Sequence, residues 1–323
     1  APATVVRDLR IFKKEGSIGS RIRQGIYVSE KSEQDCDLKN VDLLVFGTRR
    51  MIDNPGFHHD VISGLSRELG KDDCYLRTSI FSREINRDAV TEKIEELNPS
   101  AVIAMYPTDP EIGGLLARRR IPYVLLVPYW PVDLPNSFLL DNRNIARDWV
   151  QHLTGLGHTK IAYLHGILQH EYNRDQSERM QFFYEEMARV GVVPDPDMLV
   201  FGGFTREEGY AGVKKLIATG KDFTAVIIND HAAAGVYEAL REEGIRIGED
   251  VSVIGTDDLS WAAHMHPSLT TVRISRNRLA VMVVDELEKA MRGTSDGFSP
   301  IKIPVNLIER ESTGPVKGAE NKA

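Results

Sequence analysis

Two apolar runs end in side chains that can hold a polar ligand. Val251-Ser252-Val253-Ile254-Gly255-Thr256 runs into adjacent carboxylates, Asp257 and Asp258, and Thr224 to Ile228 runs into Asn229 and Asp230. A carboxylate or carboxamide offers two acceptors, or an acceptor and a donor, on one planar group. That pattern matches neighbouring hydroxyls of a sugar, whose apolar face suits an aromatic ring. Runs of valine and isoleucine fit strands buried on both faces, and open α/β sheets bind ligands at the carboxyl ends of such strands. Gly255 is expected to let the chain leave the sheet there. Asp230 and Asp258 suit capping of free amide donors better than ligand contact.

From Val41 onward, short apolar runs alternate with helical periods, the pattern of parallel β-α units. Strands are expected to begin near Leu43, Tyr75, Ala101, Tyr123, Ile161, Leu199, Ala225 and Val251, four on each side of 155–160. Helices are expected over 88–97, 179–190, 206–218 and 232–243.

The chain of 323 residues, 42% hydrophobic and 27% charged, has the composition of a globular protein of two or three domains. Apolar runs such as Tyr123 to Val127 are too short to cross a bilayer, and no basic-then-apolar leader opens the chain, so a cytoplasmic protein without membrane contact is expected. Cys36 and Cys74 suggest neither a metal site nor a disulfide framework. The histidines show no ligand spacing: His58-His59-Asp60 reads as a helix cap, and His152, His158 and His165 have no clustered cysteines. No dinucleotide fingerprint, phosphate loop or nucleophile elbow occurs. No metal, no cofactor and no catalysis are therefore expected.

The net charge of −7 is unevenly placed. Residues 1–28 hold Arg7, Arg10, Lys13, Lys14, Arg21 and Arg23 against Asp8 and Glu15, a basic head on an acidic body. Apolar residues at 5, 6, 9 and 12 have helical spacing, and Gly16 suits a helix end. Ile18 to Val28 reads as a short two-stranded wing, and 29–40 as a polar linker.

The segment VSVIGTDD, its loop and PSLTTVR closely resemble the effector-domain signature of the LacI/GalR repressors, "VSVVGFDD" followed by "PPLTTVR". The likeness continues through TAVIIND, LTGLGHTKIAYLHG, LLDN and Asn54-Pro55-Gly56-Phe57, and spans roughly 41–313. The resemblance implies an α/β fold of the two-lobed, periplasmic-binding-protein-like type, with parallel sheets flanked by helices and a small molecule in the cleft. It places one lobe at 41–157 plus 275–303, the other at 158–274 plus 304–315, and a disordered tail at 316–323. It implies ligand contacts by Asp257 and Asn229 on ring hydroxyls, and by Arg179 in ERMQFFYEEM, where Phe182 replaces the usual glycine. Phe204 matches the aromatic that stacks on the sugar, Asn54 and Phe57 would contribute from the first lobe, and Asn144 sits where the family's lactose repressor has a ligand aspartate. Arg179 could instead pair with Glu178, and Phe204 could be packing alone. Trp130 and Trp261 lie on expected cleft loops.

The head, PATVVRDLRIFKKEGSIGSRIRQGIYV, resembles the end of a GntR-type winged helix, with Val6 and Ile26 departing from that pattern. Ala1 falls inside the recognition helix, so the resemblance implies further helices ahead of it. A GntR-like head on a LacI/GalR-like body is the arrangement of the arabinose-repressor type regulators. It implies that Thr4, Arg7 and Arg10 face operator DNA while Arg21 and Arg23 meet backbone phosphates. The implied function is a sugar-responsive regulator, a repressor acting as a homodimer in which helix 277–292 could supply part of the dimer face. A sugar-binding protein for uptake and a sugar-modifying α/β enzyme are the alternatives from other classes.

Overall fold

A computed structural model of the chain describes residues 18–21, 25–28, 40–47, 56–84, 86–167 and 173–317. The first of these form an antiparallel hairpin, β1 (Ile18–Arg21) with β2 (Gly25–Val28), which pairs Ile18 with Val28 and Arg21 with Gly25. It lies where the two-stranded wing is expected. The preceding helix, the linker over 29–39, and Thr4, Arg7, Arg10, Arg23 and Asn54 lie outside the described residues.

The body has two six-stranded sheets. The first consists of β3 (Asn40–Phe46), β4 (Tyr75–Phe81), β5 (Ala101–Met105), β6 (Tyr123–Leu126), β7 (Ser137–Leu140) and β13 (Ile301–Ile303), in the order β13-β7-β6-β5-β3-β4. Every neighbouring pair in it is parallel. The second consists of β8 (Ile161–His165), β9 (Leu199–Phe201), β10 (Ala225–Ile227), β11 (Ser252–Asp257), β12 (Thr270–Ile274) and β14 (Val305–Ile308), in the order β14-β12-β11-β10-β8-β9. It is parallel except for β14, which runs antiparallel to β12. The continuous burial of β3 from Val41, of β5 and of β11 shows why these runs lack polar alternation: helices cover both faces.

The helices are α1 (Phe57–Leu69), α2 (Arg87–Leu97), α3 (Ile112–Arg118), α4 (Asn142–Gly155), α5 (Arg174–Arg189), α6 (Arg206–Ala218), α7 (Ala233–Glu242) and α8 (Arg276–Met291). Their starts are local. Thr205 and Glu208 form a reciprocal capping box for α6, and Asn173 accepts from Gln176 to start α5 five residues ahead of the expected 179. Among the described residues, no helix is long and apolar enough to cross a membrane.

The expected strand starts all fall at or within three residues of observed strands. Among the strands outside that set, β7 and β13 are runs of four and three residues without flanking period. Helix α4 lies against the second sheet: the Trp149 indole donates to the Gly255 carbonyl at 3.1 Å, and His152 meets Thr313 at 2.9 Å. The sequence reading had placed 142–157 with the first lobe, so the chain crosses before α4 rather than after it. Helix α8 returns to the first lobe, where Ala280 packs so closely on α1 that a Cβ at Gly64 would meet its methyl at 3.0 Å. Val316, assigned to a disordered tail, donates to the Leu156 carbonyl at 3.0 Å, and Lys317 pairs with Asp250. Residues 318–323 lie outside the described residues.

Candidate functional site

Strands β10 and β11 are neighbours, so the residues that end them meet. Asn229 donates from Nδ2 to Asp257 Oδ2 at 3.2 Å, while its Oδ1 accepts from the His231 amide at 3.0 Å. Below them Asp230 is fully buried and accepts from the Leu259 amide (3.1 Å) and the Thr271 hydroxyl (2.9 Å). Burial, reinforced by the nearby Asp257 charge, pushes its carboxyl well above the usual range. Asp230 thus fixes the loop after β11, the structural role expected for it. Gly255 is not where the chain leaves the sheet, because β11 continues through Asp257. Its missing side chain makes room for Asp230 instead: a Cβ there would lie 1.9 Å from Oδ1. The turn comes at Asp257 and Asp258, with φ of 108° and 53°. Among the described residues the Asp258 carboxylate takes no amide donor; it is gripped instead by Arg273 and Arg310, each at 2.6 Å. Burial opposes its charge, but the two guanidinium groups prevail and hold its pKa low.

A second group comes from α4 and α5. Arg179 is 5% exposed and donates from Nε to Asn142 Oδ1 at 2.9 Å. Asn142 in turn donates to Asp175 and Glu178, both at 2.9 Å. The pairing with Glu178 weighed for Arg179 is made by Arg174 instead, at 2.8 Å. Arg174 also reaches the first lobe, donating to the Trp130 carbonyl and pairing with Asp133.

The facing wall belongs to the first lobe. Tyr106 follows β5 with a left-handed φ of 56°, and its ring lies 5.1 Å from His58 and 5.8 Å from Tyr129. Burial raises the Tyr106 pKa, Tyr129, Asp175 and Asp257 add to the effect, and Arg179 opposes it, so this hydroxyl feels both polar groups of the second lobe. His58 is brought down to about 4 by burial, with His231 and Arg83 contributing. His231, from the second lobe, stands 5.6 Å from the Trp261 ring and reaches Gly56, where a Cβ would be 2.6 Å from its Cε1.

Asp257 and Asn229 thus meet at one sheet edge, and Tyr106 of the first lobe lies within electrostatic reach of both Asp257 and Arg179. Phe204 is 39% exposed, with its ring over Gly166 at the rim of the second lobe. Phe57 is buried in the first-lobe core and edge-on to His58. Asn144 is turned to Asp141 at the start of α4, and Asn142, two residues earlier, is the one that meets Arg179. Trp130 belongs to the buried cluster that includes Leu44, Phe46 and Phe81, and its carbonyl accepts from Arg174 of the second lobe. His58 is not a cap, since the start of α1 has no side-chain cap bond. Sequence reasoning missed Asn142, Tyr106, Asp175, His58 and His231. Tyr106 ends the apolar run AVIAM, the same signal that singled out Asn229 and Asp257, and Asn142 lies inside the LLDN already noted. Among the described residues, no group of three or more His, Cys, Asp or Glu is placed to hold a metal ion.

The family model for the periplasmic-binding-protein-like domain matches residues 150–313. The HTH-type transcriptional repressor PurR of Vibrio cholerae is 32% identical over 232 residues, covering 71% of this chain and 68% of that protein. The regulator GalR of Escherichia coli is 35% identical over 190 residues, covering 58% and 54%. The crystal structure of the Escherichia coli transcriptional repressor AscG superposes with a TM-score of 0.74 at 23% identity, covering 85% of this chain and 99% of that one. Matches to curated relatives span 54–68% of those proteins' own lengths. These relatives are regulators of transcription, not enzymes. The chain belongs to the periplasmic-binding-protein-like family, in the form of the effector-binding domain of the LacI/GalR regulators.

Proposed function

We propose that this chain is the effector-binding body of a cytoplasmic transcriptional regulator, a repressor, that closes its two lobes on an uncharged sugar or related polyol. The observation that carries this reading is the convergence of Asn229 and Asp257 at 3.2 Å on one sheet edge, with Arg179 and Tyr106 about them. Planar groups of this kind satisfy adjacent hydroxyls with paired bonds. The charge favours a neutral guest. Around Tyr106 and His58 the guanidinium groups of Arg179 and Arg83 offset the carboxylates of Asp175 and Asp257, so neither an anionic nor a cationic guest is called for among the described residues. Phe204, Asn54 and Phe57 would complete the contacts by stacking or bonding, and Asn142 takes the place first given to Asn144.

In the same reading the N-terminal segment is the end of a GntR-type winged helix, as in arabinose-repressor type regulators. Thr4, Arg7 and Arg10 would then face operator DNA, and Arg21 and Arg23 would meet its phosphates. A homodimer would then read palindromic half-sites. Ligand acts only through its different affinity for the two lobe arrangements. The test is a thermal-shift screen of aldopentoses and aldohexoses beside their phosphates and uronates, with chromatography of the mixtures. A rise in Tm with a neutral sugar, unchanged after incubation, is expected. Conversion of the sugar, or stabilisation by the anionic compounds alone, would overturn the proposal.

A further inference from the structure

We infer that Arg276 is a positioning residue, tying the backbone of the ligand-facing Asp257 to helix α1 of the opposite lobe. Only the importance of Asp257 rests on the ligand reading above; the tie itself does not. Arg276 opens α8, which is anchored to the first lobe through Asn277, the acceptor of a bond from Arg67 at 2.9 Å, and through Ala280 against Gly64. Its side chain, 14% exposed, reaches into the second lobe. There Nη1 donates to the Asp257 carbonyl and Nη2 to the Asp258 carbonyl at 2.8 Å. The remaining nitrogen, Nε, pairs with Asp60 of α1 at 3.0 Å.

The site of this grip matters. Asp257 and Asp258 are consecutive non-glycine residues in left-handed backbone, which a chain adopts only where its surroundings hold it there. Two carbonyl bonds from one rigid guanidinium fork fix the plane of both peptides, and so the direction of the Asp257 side chain. Asp60 lies three residues after Phe57 and two after His58, so the same guanidinium connects both walls of the cleft.

Hydrogen exchange by mass spectrometry or NMR on the ligand-free protein tests this. Arg276→Met should speed exchange of the Asp258 and Leu259 amides by about tenfold, with Val253 and Ile254 as unchanged references. Asp60→Asn touches neither amide, yet it should speed the same two by roughly threefold to tenfold and add nothing in the Arg276→Met background. Asp60→Asn is the milder change and decides the matter even if Arg276→Met folds poorly. Unchanged exchange at 258 and 259 in Asp60→Asn, or effects of the two variants that simply multiply, would overturn the inference. Neither outcome depends on which ligand the cleft takes, so a failed sugar screen leaves this test standing.

Discussion

Replacing Asn142 by alanine removes the side chain that links Arg179 to Asp175 and Glu178. Three hydrogen bonds to charged groups are lost, each of 2.9 Å. Such bonds contribute about 1.5–3 kcal/mol each when no substitute is found. Asp175 and Glu178 border the cleft, so water replaces much of what they lose. The Arg179 Nε, in a residue 5% exposed, has no such recourse. Two carboxylates are also left side by side without their shared donor. A net loss of about 2–4 kcal/mol follows, or a fall in Tm of roughly 4–12 °C for a domain of this size. Helix α4 itself is spared, because its cap is Asp141 and alanine is a good helix former. Urea unfolding of Asn142→Ala against Asn144→Ala gives the comparison, since the Asn144 side chain, among the described residues, bonds to its neighbour Asp141 alone and should cost about 0–1 kcal/mol. Equal losses in the two variants, or a loss below about 0.5 kcal/mol in Asn142→Ala, would refute the view that Asn142 organises Arg179.

Other consequences follow from the same geometry. Asp257→Ala should weaken binding of the best sugar of the screen by about 100-fold or more, two charge-assisted bonds being lost, with little change in urea midpoint; calorimetric titration reads both limits. His58 has a folded pKa of about 4 against 6.5 when unfolded, so the unfolded chain takes up its proton first. Its contribution is complete above about pH 6.5 and is lost as the pH falls toward 4, by at most about 3 kcal/mol and less where cleft water screens it. Because Asp230 and Asp175 are raised and slope the opposite way, the difference between wild type and His58→Gln across that window is the quantity to measure by urea unfolding. A flat difference would place His58 in solvent. Gly255→Ala must displace the Asp230 carboxylate and should cost about 2–4 kcal/mol by the same method; a neutral effect would mean that the loop after β11 does not depend on Asp230.

The legible part of the chain was the part written in apolar runs. Strands β3, β5, β8, β10 and β11 are buried on both faces, so their composition announces them, and the residues ending β10 and β11 meet because the sheet order makes them neighbours. The first-lobe wall was harder to read. His58 resembles any histidine at a helix start, and only the packing of α1 against the cleft gives it Tyr106 and His231 as neighbours. The choice between Asn142 and Asn144 depends on helical phase: both follow the same strand, but the first turn of α4 carries one toward Arg179 and the other back to Asp141. Gly255 was misread because a glycine near a strand end has two explanations, release of the chain or room for a neighbour, and the neighbour, Asp230, arrives from another strand.

The most direct test is a crystal structure with the strongest neutral sugar of the screen. The sugar should lie between the lobes, with Asn229 and Asp257 sharing neighbouring hydroxyls and Arg179 within bonding distance of a third oxygen. A sugar seated elsewhere, or in the cleft with Asn229 and Asp257 still bonded only to each other, would contradict the proposal.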